Sequence, residues 1–366
     1  MTGHGSCHAL RSAQRMIAWW LIAPLMGPSG AARADDVLTR SANHAGAKII
    51  GYRGGQLSLR TIDGKPLSLW IDEIDLINVD RAGAFSDFNQ AERFLAEGRP
   101  EQALTRYRRC LRLGEEFWSD VFASRMLIAA DRAGAIDTAV GQFIRVLQGD
   151  WGGPAAAARL IPQRIPTKPS GKAARAIEQL DAESARAADP AVAALLLLLR
   201  YDLRRSSGDA RAMEDAARVA ELTIPEAARS ERASAIVFSA LEQVLAESVT
   251  AESLSALDRA IRDCPAATLP SFLLMKGDVL SRTASTREDS IRAAYPYLRA
   301  AVHFPDDPRA ALGYYGAGLM MERVGRAEQA IGLLRAGLER AKSDQSLRVR
   351  IEAAILRLQP AGGGRP

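Results

Sequence analysis

Residues that could carry out catalysis are sparse in this sequence. It contains four histidines, and two of them, His4 and His8, precede an apolar segment near its start. The zinc motif HExxH, paired CxxC motifs and the nucleophile motif GxSxG do not occur. A histidine-assisted site would have to use His44, which we expect in a flexible segment, or His303, which we expect at a helix end. The pattern predicts a non-catalytic protein with no cofactor and no bound metal.

Carboxylates are the second kind of candidate group. They occur at Asp72, Glu73, Asp75 and Asp80 and in the pairs Glu115–Glu116 and Asp306–Asp307. The first group lacks the spacing of a calcium loop, and the pairs are typical of helix caps and exposed faces. We interpret all of them as solvated side chains. The alternative is a protein that handles an envelope polysaccharide in a cleft whose chemistry uses carboxylates alone.

The first 34 residues account for most of the positive charge. The 366-residue sequence has a formal net charge of +5, of which Arg11, Arg15 and Arg33 supply three, so the remainder carries +2. So small an excess argues against nucleic-acid binding. The start of the sequence follows the order of a secretory signal peptide: two arginines, an apolar run at 16–26 and the small-residue cleavage motif Ala32-Arg33-Ala34.

The apolar run is too short to anchor the protein in a membrane. It falls short of the roughly 20 residues that cross a bilayer, and Pro24 interrupts it. Cleavage after Ala34 is therefore favoured over retention as an anchor. We expect an exported protein, periplasmic or secreted, with no stable membrane insertion after cleavage.

Residues 47–80 have the period of β-strands, and we expect a flexible lead-in before them at 35–46. Leucines alternate with polar residues in QLSLRTI and KPLSLWI, and Asp63-Gly64 between these runs is a tight-hairpin signal. The sequence predicts a small β module that forms a partial barrel or leans on the first helices. The spacing resembles that of small bent barrels of the Sm-like and SH3-like type.

A repeated phrase organises the chain after the β module. The matches are Gly98 with Gly134, Ala103 with Ala139 and Tyr107 with Phe143, each pair 36 residues apart, and a third copy begins at Gly325. In a helical hairpin the glycine ends the first helix, and the alanine lies where the second helix crosses it. The aromatic residue then fills the groove between hairpins. The repeats predict a mainly α protein built of stacked helix pairs.

This pattern resembles the tetratricopeptide repeat (TPR), a helical hairpin of about 34 residues. The resemblance covers 85–113, 118–148 and 308–342, and the last of these is similar to TPR accessory proteins of the bacterial outer envelope. It implies a TPR-like α-solenoid of antiparallel helix pairs. We expect two repeats at 84–148, a linker rich in proline and glycine at 149–170, a further array at 171–358 and a disordered tail at 359–366.

The resemblance also implies a function, that of an exported scaffold in cell-envelope organisation whose groove binds a peptide or a partner protein. The groove positions of the family fall on Phe88, Glu92, Ser124, Ile128, Asp131, Tyr315, Leu319 and Glu322. Phe88 and Tyr315 are the expected apolar anchors, and the alternative for both is packing against neighbouring helices. Arg106, Arg108, Arg109 and Arg112 are expected on an outward face, where they meet solvent or an anionic envelope polymer.

Overall fold

The computed structural model describes residues 35–81, 83, 85–110 and 117–359. The signal peptide predicted at 1–34 lies outside the described residues, as do Arg112, the pair Glu115–Glu116 and all of the predicted tail except Gln359. Within the described part, the protein is mainly α, with a small antiparallel sheet ahead of stacked antiparallel helix pairs. This is the fold class that the repeats predict.

Five strands come first: β1 (Asp35–Thr39), β2 (Asn43–Arg53), β3 (Gln56–Arg60), β4 (Pro66–Trp70) and β5 (Ile74–Asn78). The described helices that follow are α1 (Ser86–Ala96), α2 (Pro100–Cys110), α3 (Trp118–Arg132), α4 (Ile136–Gln148), α5 (Gly153–Arg159), α6 (Gly171–Ser184), α7 (Pro190–Ser207) and α8 (Ala212–Glu221). After a short 3₁₀ turn (Glu226–Ala228) come α9 (Glu231–Glu247), α10 (Ala251–Asp263), α11 (Leu269–Thr283), α12 (Arg287–His303), α13 (Ala310–Arg323), α14 (Ala327–Arg340) and α15 (Gln345–Leu358).

The sheet is a curled antiparallel unit with the strand order β4-β3-β2-β1-β5. Strand β2 pairs with β1 through its first half and with β3 through its second half, so the sheet turns a corner along β2. Gly54 and Gly55, both at positive φ, form the tight turn between β2 and β3. The inner side chains of the sheet, among them Leu57 and Ile77, share one hydrophobic core with the first helices.

Residues 35–46, which the sequence analysis expected to be flexible, instead form β1 and the start of β2. Val37 is fully buried, and the carboxylates of Asp35 and Asp36 accept hydrogen bonds from the amides of Ile49 (2.9 Å) and Gly46 (3.0 Å). Acidic and small residues in this segment conceal the alternation of apolar and polar residues that is typical of a strand. Strand β1 pairs with both β2 and β5, and the two carboxylates bind further amides of β2.

The repeated glycines end helices in the same way three times. Gly98, Gly134 and Gly325 have φ values of 74°, 65° and 74°. The amide after each glycine donates to a carbonyl five residues back: Arg99 to Phe94 (2.8 Å), Ala135 to Ala130 (2.9 Å) and Arg326 to Met321 (3.0 Å). This is the Schellman end of a helix. The next helix of each pair starts within three residues.

The other repeated residues are buried where the helix pairs meet. Ala103, Ala139 and Ala330 have no exposed surface, and neither do Tyr107, Phe143 and Leu334. A Cβ on Gly318 would lie 2.8 Å from Leu334 Cγ, so α13 and α14 cross at van der Waals contact. The small and large positions therefore have the packing roles that the repeat pattern predicts.

Residues 149–170, expected to be a linker, instead pack into the array. The carboxylate of Asp120 on α3 accepts the amides of Trp151 (2.8 Å) and Gly152 (2.9 Å), and Ala156 on α5 is fully buried. At the far end of α5, Ser230 donates its hydroxyl to the Ala158 carbonyl at 2.7 Å. The prolines and glycines here prevent one long helix, while side chains of distant helices hold the segment in place.

A buried ion pair joins the first two helix pairs to each other. Glu92 on α1 and Arg125 on α3 are 0% and 1% exposed, and two bonds of 2.7 Å connect the guanidinium Nε and Nη2 to the two carboxylate oxygens. Such bidentate pairing is the strongest geometry for these groups. Tyr107 on α2 donates its hydroxyl to Glu92 Oε1 at 2.5 Å.

The same pair binds the backbone of the sheet. Glu92 Oε2 accepts the amide of Ile77 in β5 at 2.8 Å, and Arg125 donates to the carbonyls of Ile71 (3.2 Å) and Ile74 (2.7 Å). Burial by itself would lower the pKa of Arg125, but the charge of Glu92 raises that pKa above its ordinary value. Burial and the neighbouring Glu92 charge raise the pKa of Tyr107 well above its ordinary value. Arg125 is therefore charged at neutral pH, and Tyr107 is a neutral donor.

A second buried charge network connects α6, α7 and α8. Arg200 and Arg204 on α7 bind the fully buried Asp215 on α8 at 2.7 and 2.8 Å. Both arginines also bind Asp181 on α6, at 3.2 and 2.9 Å. Asp189 caps α7 by accepting the Ala191 amide at 2.7 Å, and Pro190 is its first residue.

In the last helix pairs, Tyr297 on α12 is inserted between α11 and α13. A Cβ on Gly277 would lie 2.7 Å from its ring, and one on Gly316 would lie 2.6 Å from it. The two glycines thus let α11 and α13 close on the ring, and the Tyr297 hydroxyl donates to the carboxylate of Asp278. Pro296 lies inside α12, which continues past it to His303.

We predict that Gly316→Ala destabilises the protein by about 1–3 kcal/mol, because its methyl group would overlap the Tyr297 ring. The matched control is Gly332→Ala on α14, where an added Cβ meets no atom within 4 Å. There alanine should stabilise the helix by up to about 1 kcal/mol. Thermal and urea unfolding of both variants measures the difference, and two changes of the same sign and size would contradict the packing described here.

Candidate functional site

The two groove positions predicted in the first repeat lie inside the protein. Phe88 is fully buried, and its ring lies 4.9 Å from that of Phe122 and 6.0 Å from that of Trp118. Glu92 is equally buried in its ion pair. Neither side chain reaches solvent, so the predicted role of Phe88 as an anchor for a partner is not available, and Glu92 binds the sheet instead.

The positions predicted in the second repeat are also used by the chain itself. Ser124 is fully buried and hydrogen-bonds the hydroxyl of Tyr52 in β2 at 2.9 Å. Asp131 accepts the amides of Gln163 and Arg164, both at 2.8 Å. Ile128 is half-buried against the core. The sheet and the segment after α5 therefore cover the face where the TPR resemblance implied a ligand.

The three positions predicted in the last repeat have a different environment. Tyr315, Leu319 and Glu322 on α13 line one open groove of about 670 Å³. The other walls are formed by α11 and α15, and Tyr297 contributes from α12. These three residues are the part of the predicted site that the structure brings together on an accessible surface.

The groove continues towards the middle of the array. A second concavity of about 530 Å³ lies between α9, α11 and α13 and shares Leu274, Asp278 and Leu312 with the first. We call the continuous surface across α9, α11, α13 and α15 the C-terminal groove. Its lining residues include Phe238, Glu242, Leu274, Asp278, Arg282, Arg309, Leu312, Tyr315, Leu319, Glu322, Arg323, Arg350 and Arg357.

Apolar side chains form the floor of the C-terminal groove. Leu312 is 37% exposed, and Phe238, Leu274 and Leu319 are half-buried. They come from three different helices of the array. Apolar side chains of an extended ligand could displace water from these residues, which is favourable at roughly 25 cal/mol per Å² of buried apolar area.

Several charged groups of the groove are already bound within the protein. Arg309 donates to both carboxylate oxygens of Asp307, and this interaction lowers the pKa of Asp307. Arg357 contacts Glu322 at 3.0 Å, and the hydrogen bond to Glu322 and its charge raise the pKa of Arg357. Asp278 accepts the Tyr297 hydroxyl, and burial followed by the interaction with Asp278 raises the pKa of Tyr297.

Arg350 has another kind of contact. Its guanidinium carbon lies 4.8 Å from the centre of the Tyr315 ring, which is a cation–π geometry. Within the described part of the chain, no carboxylate lies within 4.0 Å of Arg350 or of Arg282. Their hydrogen-bond donors face a groove that also contains exposed apolar surface.

Sequence reasoning missed the groove residues outside the last repeat. Leu274, Asp278 and Arg282 are four residues apart on α11, and Arg350 and Arg357 are seven apart on α15. Such spacing places side chains on one face of a helix. The α11 face was missed because no repeated phrase marks the helix-pair register between 171 and 306, and the α15 face was missed because α15 follows the last recognised repeat, which ends at 342.

Other candidate groups take part in internal contacts. Asp72 and Glu73 of the acidic cluster bind Arg159 on α5 at 2.9 and 3.0 Å, and Arg159 lies 4.3 Å from the Trp70 ring. In the expected arginine row, Arg106 binds Asp87 at 2.8 Å. In the described residues, no helix is both long and apolar enough to cross a membrane, and no group of three potential metal ligands comes together.

No family model and no curated protein matches the sequence. Among solved structures, the chain is similar to TTC0263, a thermophilic TPR protein of Thermus thermophilus, with 17% identity over 75% of this chain and 100% of that chain and a TM-score of 0.23. It is also similar to the TPR2AB domain of yeast Sti1, solved as a complex with pHSP90, with 12% identity over 75% of this chain and 98% of that chain and a TM-score of 0.24. Similarities this low assign no ligand to this chain, and its TPR-like architecture rests on the packing described above.

Proposed function

We propose that this protein is a non-catalytic interaction scaffold that binds an extended segment of a partner protein in the C-terminal groove. The observation that carries the proposal is the open surface across four helices in which Leu312 is 37% exposed beside half-buried Leu274 and Leu319. Exposed apolar groups that are contiguous and rimmed by charges are typical of interaction sites.

The length of the groove favours a peptide segment over a small molecule. The groove crosses α9, α11, α13 and α15. Neighbouring packed helices lie about 8–10 Å apart, so the path is about 25–30 Å long. An extended chain advances about 3.3–3.6 Å per residue and covers that path with about eight residues.

The sheet supports the proposal indirectly. By binding Glu92, Arg125 and Ser124, it occupies the concave face of the first two helix pairs and leaves the later pairs for a ligand. Strand β5 returns to pair with β1, as in the small bent barrels that the sequence resembles. We propose that this β module is a rigid support whose outer face is a second contact surface.

The proposal also includes export of the protein from the cytoplasm. The order of charge, apolar run and small residues in 1–34 supports cleavage after Ala34 and a role in cell-envelope organisation. We expect the full-length protein in the periplasmic or secreted fraction, with a mature mass that begins at Asp35. Cytoplasmic recovery of uncleaved protein, with the same distribution after deletion of 1–34, would contradict export.

For the groove itself, we predict that peptides selected from a random library against the mature protein lose at least about tenfold in affinity in Leu312→Asp, because a charge would face the apolar floor. The control is Val302→Asp on α12, whose side chain is 58% exposed and lies outside the groove. Tyr315→Ala should also weaken binding, because it removes an aromatic side chain that lines the groove and contacts Arg350. The proposal fails if no peptide binds, or if Leu312→Asp and Val302→Asp bind alike.

A further inference from the structure

We propose that the C-terminal groove selects segments in which an apolar side chain and an acidic side chain are separated by about four residues. This inference rests on the proposed function and adds the chemistry of the partner. It follows from an apolar subsite between α9, α11 and α13, a cationic subsite at Arg350 on α15, and the distance between them.

The apolar subsite is the concavity of about 530 Å³ between α9, α11 and α13. Leu312 and Leu274 form its boundary with the rest of the groove, and Phe238 lies on its α9 side. Its two arginines, Arg282 and Arg309, are matched in number by two lining carboxylates, Glu242 and Asp278. Arg309 is in addition bound by Asp307 at 2.7 Å. This end of the groove offers carbon surface to a leucine-sized side chain.

The cationic subsite is formed by Arg350 and its platform Tyr315. The ring holds the guanidinium at 4.8 Å, which restricts the side chain before a ligand arrives. The neighbouring cations of the groove are engaged, since Arg357 binds Glu322 at 3.0 Å and Arg323 donates to the Ser281 carbonyl at 2.7 Å. Arg350 has no carboxylate within 4.0 Å among the described residues, so its donors suit a carboxylate from outside.

The net charge of this end favours the same ligand. The groove between α11 and α15 is lined by three cations, Arg323, Arg350 and Arg357, and by two carboxylates, Asp278 and Glu322. Both carboxylates already accept hydrogen bonds from the protein. An acidic side chain would balance the excess cation, whereas a basic one would add to it.

The geometry sets the spacing. The edge of the apolar subsite that faces Arg350 is formed by Leu274 on α11 and Leu312 on α13, and Arg350 lies on α15, the next helix of this layer. Helix spacings of about 8–10 Å place the two subsites roughly 13–15 Å apart. At about 3.3–3.6 Å per extended residue, the two side chains are then about four residues apart.

The test uses ten-residue peptides with acetylated and amidated ends, measured by fluorescence anisotropy with the mature protein. Each contains one leucine, with glutamate, glutamine or lysine placed two to six residues away, and a further arm has no internal acid but a free terminal carboxylate. We expect the glutamate peptide at a spacing of about four to bind about tenfold more tightly than its glutamine counterpart. That advantage should disappear in Arg350→Gln and persist in Arg335→Gln, which removes an exposed arginine of α14 outside the groove.

Each other result overturns the inference. Equal binding of all leucine peptides would leave the proposed function standing but remove the acidic preference. If the glutamate peptide keeps its advantage in Arg350→Gln, its carboxylate binds somewhere other than Arg350. If tight binding requires a free terminal carboxylate, the groove recognises the C-terminus of a partner rather than an internal acidic side chain. If no peptide binds, the proposed function itself fails. Unchanged melting temperatures of the two arginine variants show that the comparison is between folded proteins.

Discussion

The buried pair of Glu92 and Arg125 is the interaction on which the N-terminal half of the structure depends. Two charges without solvent contact must be paired and must fill their remaining hydrogen-bonding capacity. Here that capacity is filled by Tyr107 and by backbone groups of Ile71, Ile74 and Ile77. The sheet occupies only residues 35–78, and so short a segment buries too little apolar area to be stable alone. The sheet therefore needs the helices for its core, and the ion pair needs the sheet for its hydrogen bonds.

This joint divides the concave surface of the helix array into two parts. In the first two helix pairs the chain fills its own groove, through the sheet and through the segment that Asp120 and Asp131 hold. In the last pairs, Tyr297 packs between Gly277 and Gly316 and brings α11 and α13 together, while the C-terminal groove across these helices stays open. The first half is thus closed by the chain itself, and the last pairs leave an open groove of the kind proposed to bind a ligand.

Local features of this protein could be predicted from the sequence, and features that depend on distant contacts could not. Gly98, Gly134 and Gly325 end helices because only the local backbone decides this. The TPR resemblance also identified one face of α1 and α3. Contacts between residues far apart in the sequence decide what covers that face, such as the hydrogen bond between Tyr52 and Ser124, which are 72 residues apart. Phe88, Glu92 and Ser124 were therefore predicted to bind a ligand, whereas the sheet covers them. The α9 and α11 walls of the groove were missed because no repeated phrase marks their register.

The most direct test of this joint compares two carboxylates of the same helix. Glu92→Gln leaves the Arg125 charge buried without its counter-ion, so the free energy of unfolding should fall by about 3 kcal/mol. Asp87→Asn removes the ion pair between Asp87, whose side chain is 33% exposed, and Arg106. The free energy of unfolding should then fall by less than about 1 kcal/mol. Urea unfolding, followed by helix circular dichroism and by hydrogen exchange of the Ile77 amide, should show sheet and helices weakened together in Glu92→Gln. Equal small losses in both variants, or a sheet that unfolds separately in the wild type, would contradict the joint.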